Sequence, residues 1–313
     1  MISSQSIRVS DPLTGRKVEM LELCAGELRI VAVPERCMDL YFLQYRDVPI
    51  SLTDRRAGIV DPSYRCEGAE SFSRSFFAGM LTTCGLIQAG RPCEENGRAF
   101  GLHGCVGHLP AQEWRMEETP EGLSLCTQVE EKHPEGEHLL LERVYRLRDG
   151  EISWQDRVTN LAGDTPFMMM YHINFGAPFL SETLRMKTDF AYAENRDTGL
   201  PADHALLLSM APPREGRKEN VYYTRLRSPR VELFSPDTGL EAELTFDGFD
   251  WMGIWKNYAP EKYGLGLEPF ACPGLGRTGA RNRGLLPALR GGETHLSGAR
   301  LCFRRIEGKE VDA

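Results

Sequence analysis

A surplus of basic residues is missing from this chain. Over 313 residues, 37 Lys and Arg face 45 Asp and Glu, which leaves a formal net charge of −8. Nucleic-acid backbones are held by clustered cations, and Arg281-Asn-Arg283 and Arg304-Arg305 are too short and scattered to build such a surface. No apolar run approaches the roughly 18 residues a membrane helix needs. The N-terminus, Met-Ile-Ser-Ser-Gln-Ser-Ile-Arg, lacks a basic start followed by an apolar core, so no secretory signal is expected. Neither nucleic acid nor membrane is therefore an expected partner. The nine cysteines are odd in number, irregularly spaced and without a Cys-x-x-Cys pair, which excludes a disulfide framework and a zinc knuckle. Reduced, mostly buried thiols and a cytoplasmic protein follow as expectations. Phosphate-loop and dinucleotide glycine patterns, fixed-period repeats and low-complexity tracts are also absent.

What remains is an ordinary globular composition, 41% hydrophobic and 26% charged, on a chain long enough to bury a large core. Long 3.6-period helices are lacking; residues 72–83 suit at most a short one. Strand-like segments recur instead. They cover 18–33, with a hairpin turn at Ala25-Gly-Glu27, then 38–46, 122–129, 139–147, 151–160, 167–175, 231–234, 240–246, 251–255 and 299–306. Turn sequences such as Pro-Glu-Gly, Arg-Asp-Gly and Ala-Gly-Asp separate several of them. Many short strands with turns between them imply an all-β sandwich or barrel. The chain reads as a single domain over 1–313, with a peripheral segment at 1–17, a long polar loop at 53–70 and a polar insertion at 194–220.

Three titratable residues sit in apolar, Gly- or Pro-punctuated surroundings. His103 lies between two glycines in Phe100-Gly-Leu-His-Gly104, where backbone can turn sharply and approach a ligand. A histidine there also suits a turn cap that bonds backbone. In Tyr171-His-Ile-Asn174, strand alternation puts His172 and Asn174 on one face. Two polar residues there must find partners or line a cavity, because burying them unpaired costs about 1–3 kcal/mol each. Glu268, in Gly264-Leu-Gly-Leu-Glu-Pro-Phe270, is flanked on its own face by Gly266 and Gly264, which leaves open space beside a carboxylate type seldom buried without a partner or a task. An exposed strand-end glutamate is the plainer alternative. His108 lacks local metal-ligand spacing, Cys84 lacks a neighbouring base, and Arg281 suits either a substrate oxygen or the surface.

Leu102-His103-Gly104, Tyr171-His172-Ile-Asn174 and Gly266-Leu-Glu268-Pro269, in that order, resemble the aldose 1-epimerase (galactose mutarotase) superfamily. With Gly79-Met-Leu-Thr-Thr-Cys-Gly-Leu86 and Leu109-Pro110, the pattern is most similar to a branch of it known as a domain of unknown function. The resemblance spans about residues 30–305. It implies a β-supersandwich, in which twisted antiparallel sheets pack face to face and one concave surface holds a sugar-sized cleft. It further implies His172 as general acid, Glu268 as general base and His103 as a sugar contact supporting the acid. The Asn-Arg motif that precedes Leu-His-Gly in galactose mutarotases is missing here, and Arg74 stands nearest to replace it.

The implied chemistry suits these residue types. Opening a cyclic hemiacetal removes a proton from the anomeric hydroxyl and delivers one to the ring oxygen. A carboxylate suits the first transfer and an imidazole the second. The expected activity is interconversion of anomers of a free or modified sugar, with His103, Asn174, Arg74 and Arg281 as candidate hydroxyl contacts. The scheme requires no cofactor and no metal, and a homodimer is compatible with it. An isomerase or lyase working on a carbon-bound proton, and a non-catalytic carbohydrate-binding module, remain as alternatives.

Overall fold

In the computed structural model, residues 2–54, 56–59 and 71–306 are described. Two large antiparallel sheets dominate them. In spatial order the first runs Ile2–Ser10, Lys17–Ala25, Leu28–Val33, Asp39–Tyr45, Leu81–Cys84, Met170–Gly176, Gly264–Phe270, Trp251–Asn257, Asn220–Leu226 and Phe190–Asn195, with Val48–Pro49 added beside Asp39–Tyr45. The second runs Glu113–Thr119, Gly122–Lys132, His138–Arg148, Glu151–Asn160, Thr294–Arg305, Leu240–Asp247, Arg230–Ser235 and Arg185–Lys187. This is the sandwich that the recurrent strand pattern implies.

Period-two alternation decides which side chains enter the space between the sheets. Leu123, Leu125 and Val129 meet Leu139, Leu141 and Tyr145 there, and they pack with Leu23, Ile30, Leu43 and Ile173 of the first sheet in one continuous core. Across this core runs a buried ionic network. Arg143 donates to both carboxylate oxygens of Asp156 at 2.7 Å and to Asp39 at 3.2 Å, and the Tyr171 hydroxyl donates to Asp156 at 2.8 Å. A fully buried guanidinium is tolerated only with such partners, and removing one would strand the other. The network anchors Tyr171 inside the sandwich. Alternation then turns its neighbours Met170 and His172 to the opposite face of the sheet, where the candidate pocket lies.

The expected features are placed as follows. Residues Ile2–Ser10 of the N-terminal segment form the edge strand of the first sheet, paired along their length with Lys17–Ala25. The helix allowed over 72–83 is confined to Ser71–Ser75, because Ala78 and Gly79 both take positive φ and the chain continues as strands Ala78–Gly79 and Leu81–Cys84. Of the loop at 53–70, residues 55 and 60–70 lie outside the described residues. The polar stretch 194–220 leaves the strand Phe190–Asn195, forms a one-turn helix His204–Leu207 and returns as Asn220–Leu226. Lys256 fastens it: its buried ammonium donates to the carbonyls of Leu206, Leu207 and Ser209 at 2.6–2.8 Å. The eight described cysteines are free thiols, and no described helix is long and apolar enough to cross a membrane.

Candidate active site

His172 and Glu268 come from adjacent strands of the first sheet, where Ile173 pairs with Leu267 and Asn174 with Gly266. Their side chains rise on the same face, and His172 Nε2 stands 3.2 Å from Glu268 Oε1. Both residues are buried. They form the floor of a pocket of about 190 Å³. Its walls are Phe72, Phe76, Leu102, Met170, Trp255 and Phe270, and its polar groups include His103, Arg196, Glu219, Tyr223 and Lys262. Phe76 tilts over the His172 ring at 4.9 Å, and Trp255 meets it edge-on at 5.5 Å. An aromatic lining of this kind lowers the local dielectric and strengthens the electrostatic interactions beside it.

Two glycines make the room. Gly253 lies opposite Glu268 in the sheet register, and a Cβ there would stand 2.5 Å from Glu268 Oε2. At Gly266 a Cβ would meet His172 Cε1 at 3.1 Å and Glu268 Oε1 at 3.2 Å. The open space read from Gly264 is instead filled by Leu52, whose Cδ2 would lie 2.4 Å from a Cβ at that position.

Desolvation governs the protonation of the pair, because burial penalises whichever form is charged. It raises the Glu268 carboxyl to about 8, with the nearby Glu219 adding to the effect and Arg196 opposing it. The same burial holds His172 well below its ordinary range. Both shifts favour a neutral pair that holds one proton between them. His172 Nδ1 has no hydrogen-bond partner among the described residues.

His103 adopts φ +61°, a left-handed conformation uncommon outside glycine. Flanking backbone holds it there: His103 N–H donates to Gly90 O at 2.9 Å, and Gly85 N–H donates to His103 O at 3.0 Å. Its Nδ1 accepts from Gly90 N–H at 3.3 Å, which leaves the ring hydrogen on Nε2. Burial pushes this imidazole down to about 3, so it stays neutral. Its ring lies 5.8 Å from that of His172, with Phe72 packed against it at 4.6 Å. The turn-cap reading and the pocket reading of His103 therefore coexist, one on each ring nitrogen.

The remaining sequence candidates are not part of the lining. Asn174 shares the face of His172 but is fully buried, and its Nδ2 donates to the carbonyls of Ala78 and His172 at 3.0 and 2.8 Å. Arg74 is exposed on the short helix. Arg281 projects from the helix Gly276–Asn282 and is exposed, with its guanidinium on Glu95 at 2.7 Å. His108 lies within hydrogen-bond distance of Ser75 Oγ, at 2.5 Å, and Cys84 is buried with its thiol pushed well up by desolvation.

Sequence reasoning missed the polar rim. Arg196 and Glu219 bracket the 194–220 stretch, and Arg196 donates to Glu219 Oε1 at 3.2 Å from each terminal nitrogen. Trp255 Nε1 donates to the other Glu219 oxygen at 2.7 Å. Lys262 Nζ sits 5.0 Å from the centre of the Phe76 ring. The available signal was the pair of charged residues at the two ends of a polar segment whose flanking strands return to the same sheet.

Solved structures share this architecture. A candidate aldose 1-epimerase from Klebsiella pneumoniae is 20% identical and superposes with a TM-score of 0.84, covering 97% of this chain and 84% of the other. The galactose 1-epimerase from Lactobacillus acidophilus is 12% identical, with a TM-score of 0.66 and coverage of 98% and 100%. A galactose mutarotase-like protein from Clostridium acetobutylicum is 13% identical, with a TM-score of 0.66 and coverage of 97% and 99%. The fold is thus that of the galactose mutarotases. No curated protein matches the sequence. Residues 15–301 match the family described as Domain of unknown function (DUF4432), and the chain belongs to it.

Proposed function

We propose that the protein is an aldose 1-epimerase acting on a free or modified sugar, with Glu268 as base and His172 as acid. The observation that carries this reading is the 3.2 Å contact between two buried, oppositely tuned groups on the floor of a sugar-sized pocket. Perturbed acid and base groups together in a cleft are what proton-transfer sites require. At rest burial keeps the pair's single proton on Glu268, and its transfer to His172 across the 3.2 Å contact gives the working arrangement. Glu268 takes the proton of the anomeric hydroxyl while His172 protonates the ring oxygen, and the bond between C1 and the ring oxygen breaks. Rotation about the next carbon–carbon bond presents the other face of the aldehyde. Reversal of both transfers then closes the second anomer and restores the pair. The two reacting oxygens share one carbon, so an acid and a base in mutual contact can serve both.

His103 supports the same chemistry as a neutral Nε2–H donor to a sugar oxygen. Arg196, Glu219 and Trp255, already bonded to one another, present a charged rim to hydroxyls. Phe76 and Trp255 offer apolar surface for the C–H face of a sugar ring. Polarimetry of freshly dissolved pure anomers is the test. Relaxation to equilibrium should be faster with the protein, and His172→Asn and Glu268→Gln should each abolish the acceleration. Acceleration that survives in both variants would overturn the assignment.

A further inference from the structure

Outside the sugar pocket, Cys105, Glu131 and His133 bring a thiol sulfur, a carboxylate oxygen and an imidazole nitrogen within 4.8 Å of one another. None of the three lines the pocket. Glu131 and His133 are spaced i, i+2 across the end of the strand Gly122–Lys132, a spacing that puts two side chains on one face. Glu131 is buried, and its Oε1 lies 2.8 Å from His133 Nε2 while its Oε2 accepts from Leu86 N–H at 2.6 Å. Cys105 arrives from the other sheet's side, where its N–H donates to Gly85 O at 3.1 Å. A turn in which His133 N–H donates to Glu137 O and Gly136 N–H donates to His133 O holds the imidazole at the rim. Cys105 and His133 are both partly accessible, so an ion has a way in.

We propose that Cys105, Glu131 and His133 form a three-residue site for a zinc-type divalent cation. The mixed sulfur, nitrogen and oxygen donor set selects zinc or cobalt over calcium or magnesium, which take oxygen ligands alone. Bond lengths of about 2.3 Å to sulfur and 2.0–2.1 Å to nitrogen or oxygen place tetrahedral ligand atoms roughly 3.3–3.7 Å apart. The observed spacing reaches that geometry with side-chain movements of about 1 Å, and a fourth position remains for water. Binding releases the Cys105 thiol proton to solvent, shifts the His133 ring hydrogen from Nε2 to Nδ1, and replaces the hydrogen bond between His133 and Glu131 with two metal bonds. Because Gly85 also donates to His103 O, the site braces the loop that carries His103 against the second sheet.

The test uses the full chain without a histidine tag, reduced, and titrated with Zn²⁺ against a chromophoric chelator. One zinc per chain is expected, with affinity weakened at least about tenfold in Cys105→Ser and in His133→Asn. Cys302→Ser, at a partly buried thiol beside Glu151, should bind as the unmodified chain does. Absence of stoichiometric uptake, or uptake unchanged in both variants, would overturn the proposal. Alkylation of the unmodified chain gives a readout that needs no variant. Zinc should protect Cys105 and leave Cys24 and Cys126 reactive, whereas Cys105 labelling at the same rate with and without zinc would contradict the site.

Discussion

Gly253 faces Glu268 across a register pair of two neighbouring strands, and the absence of a side chain at Gly253 is what lets the Glu268 carboxylate stand upright beside His172. Gly253 has no positive φ, so its role is steric. Gly253→Ala should leave the sheet folded and swing the carboxylate out of line with His172. A misplacement near 1 Å commonly costs about 10² in rate. Steady-state kinetics together with circular dichroism would check this, the expected result being a lower kcat with unchanged secondary structure.

Glu268→Gln should separate catalysis from stability. Removing a positioned base costs about 10²–10⁴ in rate. The stability change has the opposite sign. The folded-state value of about 8 lies above the ordinary 4.5. Below about pH 4.5 both folded and unfolded states hold the proton. As pH rises toward 8, the unfolded chain ionises while the buried carboxyl does not, so the wild-type protein loses stability across that window. Glutamine removes this slope. At pH 8 the variant should be more stable by at least about 1 kcal/mol, about 2 °C or more in Tm, measured by thermal denaturation at pH 5 and pH 8.

The pH dependence of turnover should report the pair as a unit. One proton on the pair is required, and it departs near pH 8, so kcat/KM should be flat through neutrality and fall above about 8. His103, held near 3, should contribute no limb at neutral pH. Glu219 raises Glu268 through its charge. Glu219→Gln should therefore move the alkaline limb to lower pH, which a pH–rate profile of the two proteins would display.

Arg281→Ala should leave both kcat and KM within about twofold of wild type, because this exposed arginine lies outside the lining and Glu95 keeps Arg277 as a partner. Its partner, Glu95, is likewise outside the lining. A large rise in KM would show that this arginine reaches the sugar after all.

The sandwich was legible because its strands alternate: Gly122–Lys132, His138–Arg148 and Glu151–Asn160 keep a strict inward and outward pattern. The Glu113–Thr119 strand was not, since all of its side chains are exposed or half-buried and no apolar period marks it. The same alternation correctly placed His172 and Asn174 on one face but not their fates, because Asn174 turns into the backbone carbonyls of Ala78 and His172. Arg196, Glu219 and Trp255 were invisible as a group because strand order, not sequence proximity, brings them together. Arg281 suits either a substrate oxygen or the surface by sequence, and the short helix Gly276–Asn282 carries it outward to Glu95.

The central claim is that the pair moves protons between the oxygens of a hemiacetal and never touches a carbon-bound proton. Two-dimensional exchange NMR on a panel of aldoses and modified sugars in deuterated buffer tests it most directly. The expected result is accelerated exchange between anomers of at least one sugar, without deuterium entering any C–H bond, and no acceleration with Glu268→Gln. Deuterium at a carbon position would contradict the claim and indicate isomerase or lyase chemistry, while sugar binding with no exchange at all would leave the pocket a recognition site.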